Sequence, residues 1–296
     1  MLTEILELGF NHVELGYDLR MDLVPGVLKM VQEGAVKVVS CHNFCPVPVG
    51  APRGHPELFT FASTDRRTRE GAVLHTGKTL RFAAQVGARV VIAHAGNVEM
   101  ERISTELCEL YEQQQQFSKL YEKRKLKLQT TREKRVHKQL DLLREGLESL
   151  QPVLSETKVK LALENLPAWE AIPTELEMEQ ICKEFEGRGI GYWHDIGHGQ
   201  IRQNLGFIDQ ERWLERLSPY LAGMHIHDVA PPAHDHLMPP QGKVDFAALK
   251  RFATRDILRV IEPAAQTPPE NIIEALRFLR EAWEPHETPQ GQGVET

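Results

Sequence analysis

Short apolar, strand-like runs alternate with helical segments of about 10 to 15 residues along this chain, and that alternation restricts the fold more than any other feature. The runs cover residues 12–15, 35–41, 88–93, 158–163, 190–193, 221–226 and 256–261. Helical patterns cover 2–8, 25–32, 68–86, 173–186, 211–217 and 271–283. Strands separated by helices form βαβ units in a parallel sheet. Seven strands, with a helix before the first and after the last, are one short of the eight of a (β/α)8 barrel. A chain of 296 residues with 41% hydrophobic content can bury a core of that size.

What stands at the strand ends favours the barrel over an open sheet. His42, His94, Glu164, Asp195, His225 and Glu262 all fall at or beside strand C-termini. A barrel recruits its site from those ends, whereas a doubly wound sheet gathers it at one crevice. The expectation is therefore an α/β TIM-type barrel lacking its first strand, in one domain over 1–284. The gap falls between the 12–15 and 256–261 runs and leaves two unpaired edges. Residues 99–151 are too long for one barrel helix and read as a helical hairpin insertion that projects from the barrel, turning near 113–117. Nine Lys or Arg between Phe117 and Lys138, against Glu122 and Glu133, read as a solvated face. Residues 46–66 form a long Pro- and Gly-bearing loop, a length associated with function. The tail, 285–296, is rich in Pro, Gly and Gln and reads as disordered.

Composition narrows the function classes. A net charge of −7 supplies no general basic field for nucleic acid. Cys41, Cys45, Cys108 and Cys182 show no disulfide framework, which fits a reducing cytoplasm. Cys41 and Cys45 flank His42, but a C-x3-C pair with no second pair nearby is a poor zinc motif. No membrane span or signal peptide is visible.

Asp195 and His198 lie three apart between glycines, after a hydrophobic strand. The bland reading is a turn in which Asp195 caps the next helix. The other reading is a divalent-metal site, with Glu164, His225 and Glu262 completing it from other strands. Two glutamates, an aspartate and one imidazole suit manganese or magnesium and also admit cobalt or zinc. Such an ion can hold adjacent oxygens of a hydroxy-ketone and stabilise an enediolate while carboxylates exchange protons with carbon.

These residues sit in short motifs whose order and spacing carry a resemblance. GFNHVELG, CHNF at His42, VVIAHAG at His94, LALENLP at Glu164 and HDIGH at Asp195 and His198 come first. MHIHD at His225, DHLMPPQGKVDF at His236 and VIEP at Glu262 follow. From residue 1 to about 283 the chain resembles the xylose isomerase-like TIM-barrel superfamily (AP endonuclease family 2), which includes sugar phosphate isomerases and epimerases and endonuclease IV. Likeness to its ketose 3-epimerases implies that Glu164, Asp195, His225 and Glu262 hold one divalent ion. It also implies that Glu164 and Glu262 are the catalytic acid/base pair and that His198 contacts substrate. An arginine those epimerases carry six residues after the metal histidine is Pro231 here. Likeness to endonuclease IV implies additional metal or substrate contacts from His42, His94, His198 and His236, although one aspartate ligand position is His234 with Asp235 adjacent.

The expected activity is a metal-dependent sugar or sugar-phosphate isomerase or epimerase working through a metal-stabilised enediolate. The alternatives are an endonuclease IV-like zinc phosphodiesterase acting on abasic DNA, and a non-catalytic or truncated barrel. The missing strand further suggests that Met1 is an internal start. Partners are a small-molecule sugar and, with exposed edges, a homo-oligomeric copy. Loops 46–66 and 229–243 are the expected seat of substrate choice. Lys243 and Arg202 are expected to be solvent-exposed.

Overall fold

The computed structural model describes residues 2–284; the expected disordered tail, 285–296, lies outside the described residues. The chain runs through α1 (Leu2–Glu7), β1 (His12–Leu15), α2 (Val24–Gln32), β2 (Lys37–His42), α3 (Arg66–Gln85), β3 (Val90–Ala93), α4 (Ile103–Glu112) and α5 (Lys119–Thr157). It continues through β4 (Lys160–Glu164), α6 (Glu175–Glu184), β5 (Ile190–Asp195), α7 (Ile196–Asn204), α8 (Gln210–Leu217) and β6 (Leu221–Ile226). A small hairpin, β7 (Asp228–Ala230) and β8 (His234–Leu237), precedes α9 (Phe246–Leu249), β9 (Leu258–Ile261) and α10 (Pro269–Trp283).

Seven strands form one parallel sheet in the order β1-β2-β3-β4-β5-β6-β9, a nearly closed barrel. Register aligns the functional ends: Glu14 pairs with Ser40, Glu164 with Trp193 and Asp195 with His225. Val90, Ile92, Ala162, Trp193 and Leu258 pack in one cluster distinct from the larger one that joins strands to helices. Trp193 fits because its neighbour is Gly223, where a Cβ would come within 2.2 Å of the indole. The end strands β1 and β9 are not paired with each other, as expected from seven strands. Between them opens a cavity of 620 Å³ walled by Ile5, Leu8, Val13, Val260, Leu276 and Leu279, with Glu14 and Glu262 also on its lining.

The structure corrects several expectations. The 99–151 hairpin turns where expected, but it lies along the barrel and does not project from it. Leu140, Leu143, Leu147, Leu150 and Leu154 of α5 are buried in the main core. Burying one leucine contributes about 1.5–3 kcal/mol, so such a face outweighs any gain from projection. Tyr121 and Leu128 pack with Ile103, Leu107, Ile201 and Leu205. The basic stretch is mostly exposed, as a solvated face requires, with Arg124 paired to Glu106, Lys127 to Glu101, and Lys125 donating to Gly206 O. Arg132 is buried and donates to Glu177, Trp169 O and Ala171 O. Two helices and a hairpin carry too little apolar pattern to be seen in sequence: α7 contains two glycines, α9 is one turn, and β7–β8 is short and polar. Arg202 is not exposed. It is fully buried, with its guanidinium over Trp169 and Trp213 at 5.4 and 5.2 Å, and burial pushes its pKa down to about 9. Lys243 is exposed.

Candidate active site

The parallel strands deliver their last residues to one rim, and every candidate read from the sequence arrives there. Glu164 ends β4, Asp195 ends β5, His225 lies in β6, and Glu262 follows β9. His225 Nδ1 is the meeting point: Glu164 Oε1 lies at 3.1 Å, Glu262 Oε2 at 3.2 Å and Asp195 Oδ2 at 3.7 Å. Glu164 Oε2 receives His42 Nε2 and His94 Nε2, each at 3.1 Å. His236 Nε2 is 3.9 Å from Glu262 Oε1. Glu164, Asp195 and His225 are fully or almost fully buried, whereas the side chains of Glu262 and His236 are about a third exposed at 30% and 31%. The cluster therefore opens to solvent on the Glu262 side.

His198 donates its Nδ1–H to Asn165 O at 3.0 Å, which leaves Nε2 as the free nitrogen. Asp195 Oδ1 caps α7 by accepting His198 N–H at 2.6 Å, as the bland reading expects, and the carboxylate also lies among imidazoles. Asn165 clamps the Asp195 backbone, donating to Asp195 O at 2.9 Å and accepting Asp195 N–H at 2.8 Å.

Glu14 and Tyr17 are not distinguished by the sequence, whereas His227 and Asp228 are visible in MHIHD as members of a strand-end polar network or as structural hydrogen-bonding residues. His227 accepts His236 N–H on Nδ1 at 2.9 Å, so its Nε2 carries the proton and donates to Asp195 at 3.0 Å. Gly197 makes room for it, since a Cβ there would lie 1.9 Å from the His227 ring. Glu14 accepts His225 Nε2–H at 3.0 Å. Tyr17 packs edge-on against His42, with burial and the Glu262, Asp18 and Glu164 charges raising its pKa. Asp228 serves the loop beyond β6 by accepting Val229, Gly242 and Val244 N–H. His234 is exposed, while Asp235 pairs with His236 Nδ1 at 3.2 Å. Cys41 and Cys45 are buried, and no metal-competent group among the described residues includes a cysteine. The 46–66 loop reaches the rim through Glu57, which accepts Asn97 Nδ2–H and lies 4.0 Å from His94 Nδ1.

Electrostatics hold the carboxylates ionised. Burial alone would raise the Glu164 carboxyl, but the His225 charge and hydrogen bonds from His225, His42 and His94 hold it well below the usual range. Glu262 is likewise held low against burial by His225 and His236, and Asp195 by His198 and His227. His225 moves the other way: Glu262, Glu14 and Glu164 overcome burial and raise it well above an ordinary histidine. His198 is lowered by burial, against the opposing pull of Asp195 and Glu164.

This donor set fits a divalent cation. No lysine or arginine among the described residues forms an ion pair with Glu164, Asp195 or Glu262, and three carboxylates share a mostly buried space with imidazoles as their only counter-charges. Four overlapping groups have ligand atoms within 4.8 Å of one another: Glu164/Asp195/His225, His42/His94/Glu164, Asp195/His198/His227 and His227/His236/Glu262. The expected quartet is thus divided. Glu262 belongs with the His227/His236 group and joins the other three through His225 Nδ1.

A family model described as "Xylose isomerase-like TIM barrel" matches residues 2–282. The chain is 23% identical over 253 residues to an uncharacterized protein of Methanocaldococcus jannaschii, covering 84% of this chain and 78% of the relative. Among solved structures, a D-tagatose 3-epimerase-like protein superposes with a TM-score of 0.67 at 17% identity, covering 95% of this chain and 91% of the other. A 3-keto-D-glucoside 4-epimerase from E. coli gives 0.66 at 16%, covering 94% and 92%. At these identities the structural likeness is one of fold. No helix among the described residues is long and apolar enough to cross a membrane.

Proposed function

The chain belongs to the family of xylose isomerase-like TIM barrels, and we propose that it is an isomerase or epimerase of a sugar or sugar phosphate, dependent on a divalent cation. The observation that carries this reading is the convergence of Glu164 and Glu262, from non-adjacent strands, on His225 Nδ1. Glu164, Asp195, His225 and Glu262 would hold the cation, and a bound Mn, Mg, Co or Zn ion would polarise adjacent oxygens of a hydroxy-ketone. The epimerase fold neighbours support a sugar as substrate.

The chain's own residues supply the proton chemistry. Glu164 and Glu262 are both ionised, the state from which a carboxylate takes a proton from carbon. One removes the proton beside the carbonyl, and the other, once it has taken a proton from solvent at the open side of the site, delivers that proton to carbon. Return from the opposite side inverts the centre, and return to the adjacent carbon isomerises the sugar. His198 offers its free Nε2 to a substrate hydroxyl, and Glu262 stands on the solvent-facing side where substrate enters.

A second reading is favoured by the four overlapping ligand groups, which have room for more than one ion. That pattern suits phosphodiester hydrolysis at clustered zinc. Arg124, Lys125, Lys127 and Arg132 of the basic helix are engaged by neighbours within the chain, which reduces the charge it offers to DNA.

The test is solvent exchange. The protein is incubated in D2O with a panel of ketoses and ketose phosphates, and deuterium beside the carbonyl is followed by NMR. Incorporation that Glu262→Gln abolishes supports the proposal. No incorporation with any sugar, together with cleavage of abasic-site DNA, contradicts it.

A further inference from the structure

We infer that Glu14 is a positioning residue for the cation site, holding the His225 imidazole so that Nδ1 faces Glu164 and Glu262. The inference rests on the reading that this cluster binds a divalent cation. An imidazole can present either nitrogen to an ion, and the bond made by the other nitrogen decides which. Here Nε2 is committed to Glu14 Oε1 at 3.0 Å, and Nδ1 is left to the carboxylates at 3.1 and 3.2 Å.

Glu14 is itself held. Ser40 lies opposite it in the β1–β2 register and donates its hydroxyl to Glu14 Oε2 at 2.5 Å. One carboxylate oxygen is thereby tied to the neighbouring strand, which points the other at His225. The bridge also spans the open side of the barrel, because β1 and β6 stand at positions one and six of the seven-strand order and share no backbone ladder. The His225 ring is fully buried and stacked on His42 at 5.8 Å, so with Glu14 in place Nε2 has no solvent partner. The Glu14 side chain is mostly buried, at 12% exposed, and touches the ion ligand without reaching the Nδ1 side.

The account separates charge from reach. Glu14→Asp keeps the charge but is one methylene too short to hold both Ser40 and His225. Glu14→Gln keeps the length and a carbonyl acceptor. Co2+ binding, followed by visible absorption on the metal-stripped full chain, is measured for both variants and Glu14→Ala, with thermal unfolding of each ion-free protein. The expected result is a loss of Co2+ affinity of about 10- to 100-fold in Glu14→Ala and Glu14→Asp, with most of it restored in Glu14→Gln. Nitrogen-15 histidine spectra of the Zn2+-loaded protein are expected to place the His225 proton on Nε2 in the wild type and Glu14→Gln. Wild-type Co2+ affinity in Glu14→Asp or Glu14→Ala would overturn the inference. The Asp and Gln variants suffice where Glu14→Ala does not fold. No Co2+ uptake by the wild type would instead overturn the cation reading on which the inference rests.

Discussion

Glu164 and Glu262 reach the same nitrogen, His225 Nδ1, from β4 and from the residue after β9, at 3.1 and 3.2 Å. Ionised carboxylates at that spacing repel unless positive charge lies between them. In the absence of a cation a proton on His225 provides it, and the reading proposed here replaces that proton with a divalent ion.

Cation binding should release protons. Both ring nitrogens of His225 face carboxylate oxygens, which raise it well above its ordinary range, so an ion binding Nδ1 displaces a proton held there. Calorimetric titration with Mn2+ in buffers of different ionisation enthalpy should show heats that vary with the buffer, in the direction of release. Heats independent of buffer would count against His225 as a ligand.

Glu262→Gln should lower turnover by about 10²- to 10⁴-fold, the range of a general acid or base. The side chain is 30% exposed, so the variant should melt near the wild-type temperature. A variant retaining wild-type proton exchange would remove Glu262 from the acid/base pair.

Gly197→Ala should destabilise the protein by about 1–3 kcal/mol, the usual cost of overpacking. The new methyl would meet the His227 ring at 1.9 Å, and displacing that ring breaks its bond to Asp195. Urea unfolding measures the loss, and cation affinity should fall with it. A variant as stable as the wild type would show that His227 is not confined as described.

Glu177 makes stability dependent on pH on the acid side. Burial would raise its carboxyl, but bonds from Arg132 and the Thr174 backbone bring it below the ordinary value. A lowered folded-state pKa gives a contribution that is present above the unfolded carboxylate range and lost as pH falls through the folded value. Glu177→Ala, which leaves the buried Arg132 charge uncompensated, should cost about 3–5 kcal/mol at neutral pH and less in acid. Equal losses at both ends of that range would contradict the assignment.

The sequence made the barrel and most of its rim legible for a physical reason. A buried parallel strand is a largely apolar run, so a polar residue at its end, such as His94 after Val90 to Ala93 or Glu164 after Leu161 to Leu163, stands out. Glu14 did not stand out because His12-Val13-Glu14-Leu15 reads as ordinary alternation, and its significance depends on His225 more than two hundred residues away. His227 was visible in MHIHD, but its role depends on a hydrogen bond from His236, in a hairpin too short and polar to be recognised. Arg202 looked like a surface residue because nothing in IRQN announces the two tryptophans that enclose it. The spacing of leucines in α5 was clear, but where that face would pack depended on tertiary contacts with α3 and the barrel.

Metal content per chain, measured by elemental mass spectrometry on protein purified without added metal, tests the central claim most directly. The account predicts about one manganese, magnesium, cobalt or zinc ion per chain, lost from a Glu164→Gln, Asp195→Asn double variant. No metal, even after reloading with each of these ions, would contradict it, and two or three zinc ions per chain would replace it with the phosphodiesterase reading.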